Sequence, residues 1–221
     1  YLPYADQSST TYGSYKDNWN PSQAAFYNGG LPNVDVDNAP FSLSVPESSP
    51  QNRILAQGAP GTTWQPNTSN PYDASTHASQ FQYLVNKSDD QVRLFNVDSA
   101  GNITSSGYYP DGQLTLVLTA DEQQQMVKEF TDKSGHVILK RVMISGDSLQ
   151  TYYLYDNMEM LRAVIQPEGT ADLQAAGWVF PSHFAAKWMF LYRYDQRNRM
   201  VMKEVPGADS VNMIYDQWDR V

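Results

Sequence analysis

The hydrophobic pattern changes near residue 80. Before it, Ser, Asn, Gln, Pro, Gly and Tyr dominate and aliphatic positions are few. Beyond it, short runs alternate apolar with polar residues, the period of half-buried strands. Runs at 80–85, 91–97, 113–119, 125–131 and 136–144 predict an antiparallel meander, continued at 150–155, 160–165, 188–194, 200–205 and 210–215. Between the runs at 160–165 and 188–194, 171–176 reads as a short helix capped by Thr170 and ended by Gly177, and 184–187 as a second, inside an insertion at about 168–187. In the polar region, Asn20 before Pro21 predicts a helix start, with 22–27 running to Gly29-Gly30. Ala59-Pro60-Gly61 reads as a turn, and Phe41, Ile54, Leu55 and Trp64 as anchors pinning the segment to a sheet. The fold class is all-β: an antiparallel hairpin meander with a loop-rich N-terminal region and one or two short helices. That region is expected over 1–112, merging into strands from about 80, and the hairpin repeats over 113–221.

One phrase recurs at the ends of these strands: an apolar or aromatic residue, Asp, two variable residues, a turn former, a polar residue and another apolar one. Tyr194-Asp195-Gln196-Arg197-Asn198-Arg199-Met200 and Tyr215-Asp216-Gln217-Trp218-Asp219-Arg220-Val221 are the clearest copies. Asp98 with Gly101 and Asp132 with Gly135 begin close variants, and Asp121 and Asp156 looser ones. Repetition of this kind calls for a repeat architecture. An Asp opening a turn accepts a backbone N–H two residues on, and the position of Gly101, Gly135, Asn198 and Asp219 suits φ > 0. Together they describe a hairpin loop made of a type I turn and a bulge residue. Steps of 21 to 24 residues between aspartates fit two strands and two turns, whereas 39 residues separate Asp156 from Asp195 and signal the insertion.

The pairs Tyr155-Asp156, Tyr194-Asp195 and Tyr215-Asp216 resemble the YD repeats of the Rhs family, bacterial secreted or surface proteins related to animal teneurins. Arg199 and Arg220 match the family's usual Gly-Arg, with Asn198 and Asp219 in place of Gly. Tyr1-Leu2-Pro3-Tyr4, Ser49-Pro50-Gln51-Asn52-Arg53-Ile54 and Gln57-Gly58-Ala59-Pro60-Gly61-Thr62-Thr63-Trp64 are similar to an uncharacterised domain that precedes Rhs repeats in many Bacteroidota proteins. The resemblance implies a β-sheet shell that encloses a C-terminal effector, often a toxin, with cleavage chemistry in a downstream core motif absent from this stretch. It also implies a bacterial secreted or cell-surface location, with the rest of the same polypeptide as partner.

Composition narrows the alternatives. A chain of 221 residues can bury a sizeable core. A net charge of −9 opposes binding to nucleic acid or anionic membrane, which needs clustered Lys and Arg. The absence of cysteine removes disulfides, zinc thiolates and thiol catalysis. No apolar run approaches the ~20 residues of a membrane span. The chain begins without Met and ends inside a repeat phrase, and is expected to be a piece of a longer protein.

Candidate chemistry is sparse. The repeat aspartates serve as turn residues at separate hairpin tips rather than as a converging acid and base. The stretch from Val34 to Asn38 lacks the Gly and closing Glu of a calcium loop. His77, His136 and His183 carry no zinc spacing, no Gly-x-Ser-x-Gly elbow occurs, and Ser145-Gly146-Asp147-Ser148 reads as a hairpin loop. Gly58-Ala59-Pro60-Gly61 lacks the ending of a phosphate loop. Asn67, Asn86 and Asn102 head formal glycosylation sequons. No metal or cofactor is expected. The leading reading is a non-enzymatic wall segment. A second is a surface module that recognises glycan or protein through its 15 Tyr and 5 Trp; a third is a hydrolase assembled from distant Asp and His.

Overall fold

The computed structural model describes residues 17, 19–98 and 100–220. Tyr1-Leu2-Pro3-Tyr4, Ser99 of the first turn phrase and Val221 of the last lie outside the described residues. In chain order the elements are α1 (Trp19–Asn28), β1 (Leu43–Pro46), β2 (Ile54–Gly58), β3 (Ser79–Val85), β4 (Arg93–Val97), β5 (Ile103–Tyr108) and β6 (Thr115–Ala120). There follow β7 (Met126–Thr131), β8 (Val137–Ile144), β9 (Asp147–Tyr155), β10 (Leu161–Ile165), α2 (Pro167–Ala175), α3 (Phe184–Trp188), β11 (Met189–Tyr194), β12 (Met200–Glu204) and β13 (Val211–Asn212). The fold is all-β, and the pairs β1–β2, β2–β3, β4–β5 and each successive pair from β7 to β13 are antiparallel.

The chain forms two compact units: Tyr1–Gln82 with Thr119–Gln125, and Tyr83–Leu118 with Met126–Val221. In the first, β1 pairs with β2 and β2 with the start of β3. Helix α1 starts at Trp19, so Asn20 lies inside it rather than capping it. Its Gln23 is buried and donates to the Pro40 carbonyl (3.0 Å). Asp37 gathers the Ala39 N–H (2.6 Å) and the Thr62 N–H and hydroxyl (3.0–3.1 Å), joining two loops. The stretch read against a calcium loop is thus a backbone-capping aspartate.

In the second unit, β6 to β13 follow one another in sequence order. The run at 91–97 departs from the meander: β4 pairs with β5 as a separate two-stranded sheet, and β3 neighbours β6 directly. Asn86 makes that departure possible. Buried to 1% exposure, its side chain accepts the Leu114 N–H (2.7 Å) and donates to the Pro110 carbonyl (2.8 Å), fixing the point where the chain returns. A fully bonded buried amide of this kind costs little, whereas an unbonded one costs about 1–3 kcal/mol.

The core is organised by register. Phe130 lies opposite Leu139, Leu139 opposite Tyr152, Tyr152 opposite Ile165, and Ile165 opposite Met189. This row crosses five strands, and each member is at most 1% exposed. Because side chains alternate faces, a slip of one residue in any strand would turn its member outward. Phe95 of β4 stacks edge-on against Tyr152 (5.1 Å), and the Tyr152 hydroxyl accepts the Arg93 N–H (3.0 Å), so the buried ring has a partner for its polar end. Leu173 of α2 and Phe184 of α3 complete the cover.

Helix α2 starts a turn earlier than Thr170 suggests. Pro167 takes the first helical position, where its missing N–H is not needed, and Thr170 is buried within the helix. Its end is a Schellman closure: Trp178 N–H bonds the Leu173 carbonyl (2.8 Å), Gly177 N–H bonds that of Gln174 (3.1 Å), and Gly177 has φ 65°. Gly169, an unfavourable residue inside a helix, is explained by packing: an added Cβ would meet Trp188 Cβ at 2.6 Å. Gly169→Ala gains about 1 kcal/mol of helix propensity, but it forces α3 away against a backbone-tethered atom. Overpacking typically costs about 1–3 kcal/mol, so a net loss of stability is expected in urea denaturation. An unchanged midpoint would show that α3 yields freely.

Candidate functional site: a row of aspartate turns

All six turn phrases are built alike. With Asp counted as the first place, its Oδ1 accepts the N–H of the third and fifth places at 2.8–3.0 Å in every copy. The Asp N–H donates to the fifth carbonyl (2.9–3.1 Å), and the fourth N–H to the Asp carbonyl (2.9–3.2 Å). The fourth place is Gly101, Gln124, Gly135, Glu159, Asn198 or Asp219, with φ of 59–91°. One carboxylate oxygen thus gathers two N–H groups that the hairpin ladder leaves over, and the left-handed residue closes the bulge.

The second carboxylate oxygen is usually held by the fifth residue. Asn102 donates to Asp98 (2.7 Å), Arg199 Nε to Asp195 (2.8 Å) and Arg220 Nε to Asp216 (2.8 Å), while His136 Nδ1 lies 3.4 Å from Asp132. Met160 cannot act this way, and Arg162 on β10 approaches Asp156 Oδ2 instead (3.5 Å). These bonds hold three carboxyls below the ordinary carboxylate range: Asp98 chiefly through the Asn102 side chain, Asp195 through the Arg199 N–H and Asp216 through the Arg220 N–H.

Turns Asp132, Asp156, Asp195 and Asp216 follow alternate strands of one antiparallel order, so they line one end of the second unit's sheet. Two of the three successive junctions are laced, Asp132 to Asp156 and Asp195 to Asp216. The third residue donates to an acid at the fourth place of the next turn: Ser134 Oγ to Glu159 Oε1 (3.0 Å), and Arg197 to Asp219 (3.3 Å). Arg199 also reaches Asp219. The fifth residue lies against the next tyrosine: His136 stacks on Tyr155 (4.4 Å), and the Arg199 guanidinium sits 4.5 Å from the Tyr215 ring centre. Each later tyrosine ties back, Tyr194 to the Leu161 carbonyl (3.0 Å) and Tyr215 to that of Met200 (2.8 Å). Asp121 belongs to the first unit, where Gln124 donates to the Thr76 carbonyl (3.3 Å).

The aspartates are not all isolated at their tips. A cleft of ≈ 380 Å³ brings Asp98, Asp156 and Asp195 to one opening, with Arg162, Tyr194 and Asn198. Each of the three still has Oδ1 filled by its own turn. A smaller cleft of ≈ 190 Å³ is lined by Asp132, His136, Tyr155 and Glu159. Among the described residues no three His, Asp or Glu converge as a metal site. His77 Nδ1 lies 3.1 Å from the Glu122 carbonyl, and its ring packs beside Trp64; His183 sits at the start of α3 with φ 63°. The sequon amides are all occupied, Asn67 by Asp73 (2.9 Å), Asn102 by Asp98 and Asn86 in the core. Of the aromatics, Trp64 and Tyr72 of the first unit and Tyr108 and Trp218 of the second are exposed.

The family described as Domain of unknown function (DUF6443) matches residues 1–102. Among solved structures, the chain is similar to the crystal structure of TcdB2-TccC3-TEV, at 16% identity and a TM-score of 0.39. The similarity covers 81% of this chain and 9% of that one. Comparison with curated proteins gives no match.

Two predictions come from the turns. Left-handed φ costs a non-glycine residue about 1 kcal/mol, so Gln124→Gly is expected to raise the melting temperature. Each replacement also gives up one bond, Gln124 its long 3.3 Å bond to the Thr76 carbonyl and Glu159 its 3.0 Å bond from Ser134, so Glu159→Gly gains less. A double-mutant cycle with Ser134→Ala should return about 0.5 kcal/mol of coupling; zero coupling would show that the lacing bond does not form. The second concerns acid. The stability from Asp98, Asp195 and Asp216 is complete above their unfolded value near pH 4 and is lost as pH falls through their lower folded values. Urea midpoints should therefore hold from about pH 7 to 5 and fall below about pH 4, with a shallower fall in Asp195→Asn/Asp216→Asn. An equal fall in that variant would place the acid sensitivity elsewhere.

Proposed function

We propose that the chain is a non-enzymatic wall segment of a large secreted or cell-surface β-shell of the Rhs type, which encloses a C-terminal effector of the toxin-delivery class. The supporting observation is how the repeat aspartates are used. Each spends Oδ1 on two N–H groups of its own turn, and the three with lowered pKa stay ionised. Such carboxylates supply neither a proton nor an unengaged base, which speaks against the hydrolase reading. They supply continuation: one hairpin ends in the groups that the next hairpin needs. The resemblance of the Tyr-Asp pairs to YD repeats agrees with this. No described helix is long and apolar enough to cross a membrane.

The natural full-length polypeptide provides the test. Limited proteolysis and electron microscopy are expected to find a hollow particle whose downstream domain resists cleavage until denaturant opens the wall. A downstream domain cut as fast as the same domain in isolation would overturn the wall reading. Saturable glycan binding lost in Trp64→Ala/Tyr72→Ala would instead establish the surface-recognition alternative.

A further inference from the structure

Of the three junctions that join the four turns of the second unit, the middle one is untied from third place to fourth. Its third place is Met158 and its fourth Asn198. The two turns are nevertheless set side by side as the laced pair beyond them is. Tyr194 bonds the carbonyl of Leu161, the sixth place of the Asp156 turn (3.0 Å), just as Tyr215 bonds that of Met200, the sixth place of the Asp195 turn (2.8 Å). Met158 and Asn198 both line the cleft of ≈ 380 Å³ between them. What this junction lacks is therefore an acceptor rather than proximity. A thioether sulfur accepts hydrogen bonds only weakly, and among the described residues no hydrogen bond engages the Asn198 side-chain amide.

Met158 is 66% exposed, the most of the chain's eight methionines. We propose that it is an oxidation site whose sulfoxide laces the Asp156 turn to the Asp195 turn. A lone pair of Met158 Sδ takes one oxygen atom from hydrogen peroxide, the O–O bond breaks and water leaves, so sulfur loses two electrons and the peroxide gains them. The S–O group so formed is a polar acceptor, and Asn198 Nδ2 is its donor across the cleft. The tie has the reverse polarity of its neighbours, with the acceptor at the third place and the donor at the fourth. That polarity gives Asn198 a use: Gly and Asn both suit a left-handed place, but only Asn brings a donor to the cleft. Met160, at the fifth place of the same turn, lines the same cleft but is half-buried, and serves as an internal comparison. The inference goes beyond the wall reading, because it gives the row of tips two states: two junctions laced when Met158 is reduced, and three when it is oxidised.

Hydrogen peroxide in small excess, applied to the folded chain at neutral pH, provides the test, with peptide mass mapping to locate the oxygen and NMR to follow the bond. Met158 is expected to convert ahead of Met160. Conversion should move the Asn198 side-chain NH2 resonances. It should also slow hydrogen exchange of the Asn198 backbone N–H, which bonds the Asp195 carbonyl, by about twofold to fivefold, the effect of one exposed hydrogen bond on local opening. Methionine sulfoxide reductases of both epimer specificities should restore the starting values. Met158→Leu, treated alike, carries whatever oxidation does elsewhere and should show neither change. Asn198→Asp is isosteric and places there the residue type that the Asp216 turn already holds at Asp219. It should leave the rate of Met158 conversion unchanged and lose the slowing. Conversion of Met160 as fast as Met158, Asn198 side-chain signals that stay in place, or slowing that persists in Asn198→Asp would each overturn the proposal. So would a shift of Arg162 Nε–H in place of the Asn198 amide, since the new oxygen would then have a different donor.

Discussion

The structure depends on one oxygen atom per turn. An Asp side chain is short enough to place Oδ1 between the N–H groups two and four residues on, and ionised enough to bond both strongly. That capture fixes the type I turn and makes the fourth residue left-handed. It also starts the outgoing strand one residue out of step, the register shifts seen before Thr131 and Tyr194 and after Leu161. Glu would reach too far, and Asn would lose the charge. Once the bulge is fixed, the residue before Asp and the residue at the fifth place fall on the same side of the sheet end. Tyr155 and Tyr215 can therefore meet the fifth residues of the turns before them.

Two sets of cross-strand contacts then act at different scales. The row from Phe130 to Met189 excludes water completely, and a buried side chain of that size contributes about 1.5–3 kcal/mol. The lacing at the tips is exposed, and an exposed bond contributes under about 1 kcal/mol. Stability therefore comes from the row, and the lacing is left to decide which hairpin follows which. This division also explains why a strained acid survives at Glu159: its cost of about 1 kcal/mol is small beside the core and is partly offset by the bond across the tips, whereas Asp219 is of a type that tolerates the left-handed region.

The hairpins were legible because their two signals are local. Alternation of period two marks the strands, and Asp with a turn former three residues on marks the tips, so Gly101, Gly135, Asn198 and Asp219 stand out by type. What was not legible is non-local. The run at 91–97 has the alternation of any meander strand, yet β4 leaves the order because Asn86, a sequon residue by pattern, bonds Leu114 across 28 positions. The start of α2 was masked by Thr170, a better cap than Gln166, because the value of Pro167 at the first helical position shows only once the end of β10 is known. The lacing could have been found in the sequence by setting the third place of each turn beside the fourth place of the next. Nothing in a single turn suggests that comparison.

The junction between the Asp156 and Asp195 turns has Met158 and Asn198 where its neighbours have a donor and an acid, and what sets it apart lies at the opposite end of the same strands. The 39-residue step places α2 and α3 between β10 and β11, and Ile165 still faces Met189, so the core row crosses the insertion intact. What this junction has and the laced ones lack is the helical insertion, whose Gly169 packs on Trp188 just before β11. Met158 and Asn198 are tolerated there, and so is Met160, whose clamping role passes to Arg162 from within β10. The two turns are tied only through Tyr194 and the Leu161 carbonyl rather than from third place to fourth, and the space between them is the cleft that Asp98 lines from the β4–β5 hairpin. The meeting of Asp98, Asp156 and Asp195 with Arg162 is, on this account, a consequence of how the insertion was accommodated rather than a site that selected its residues.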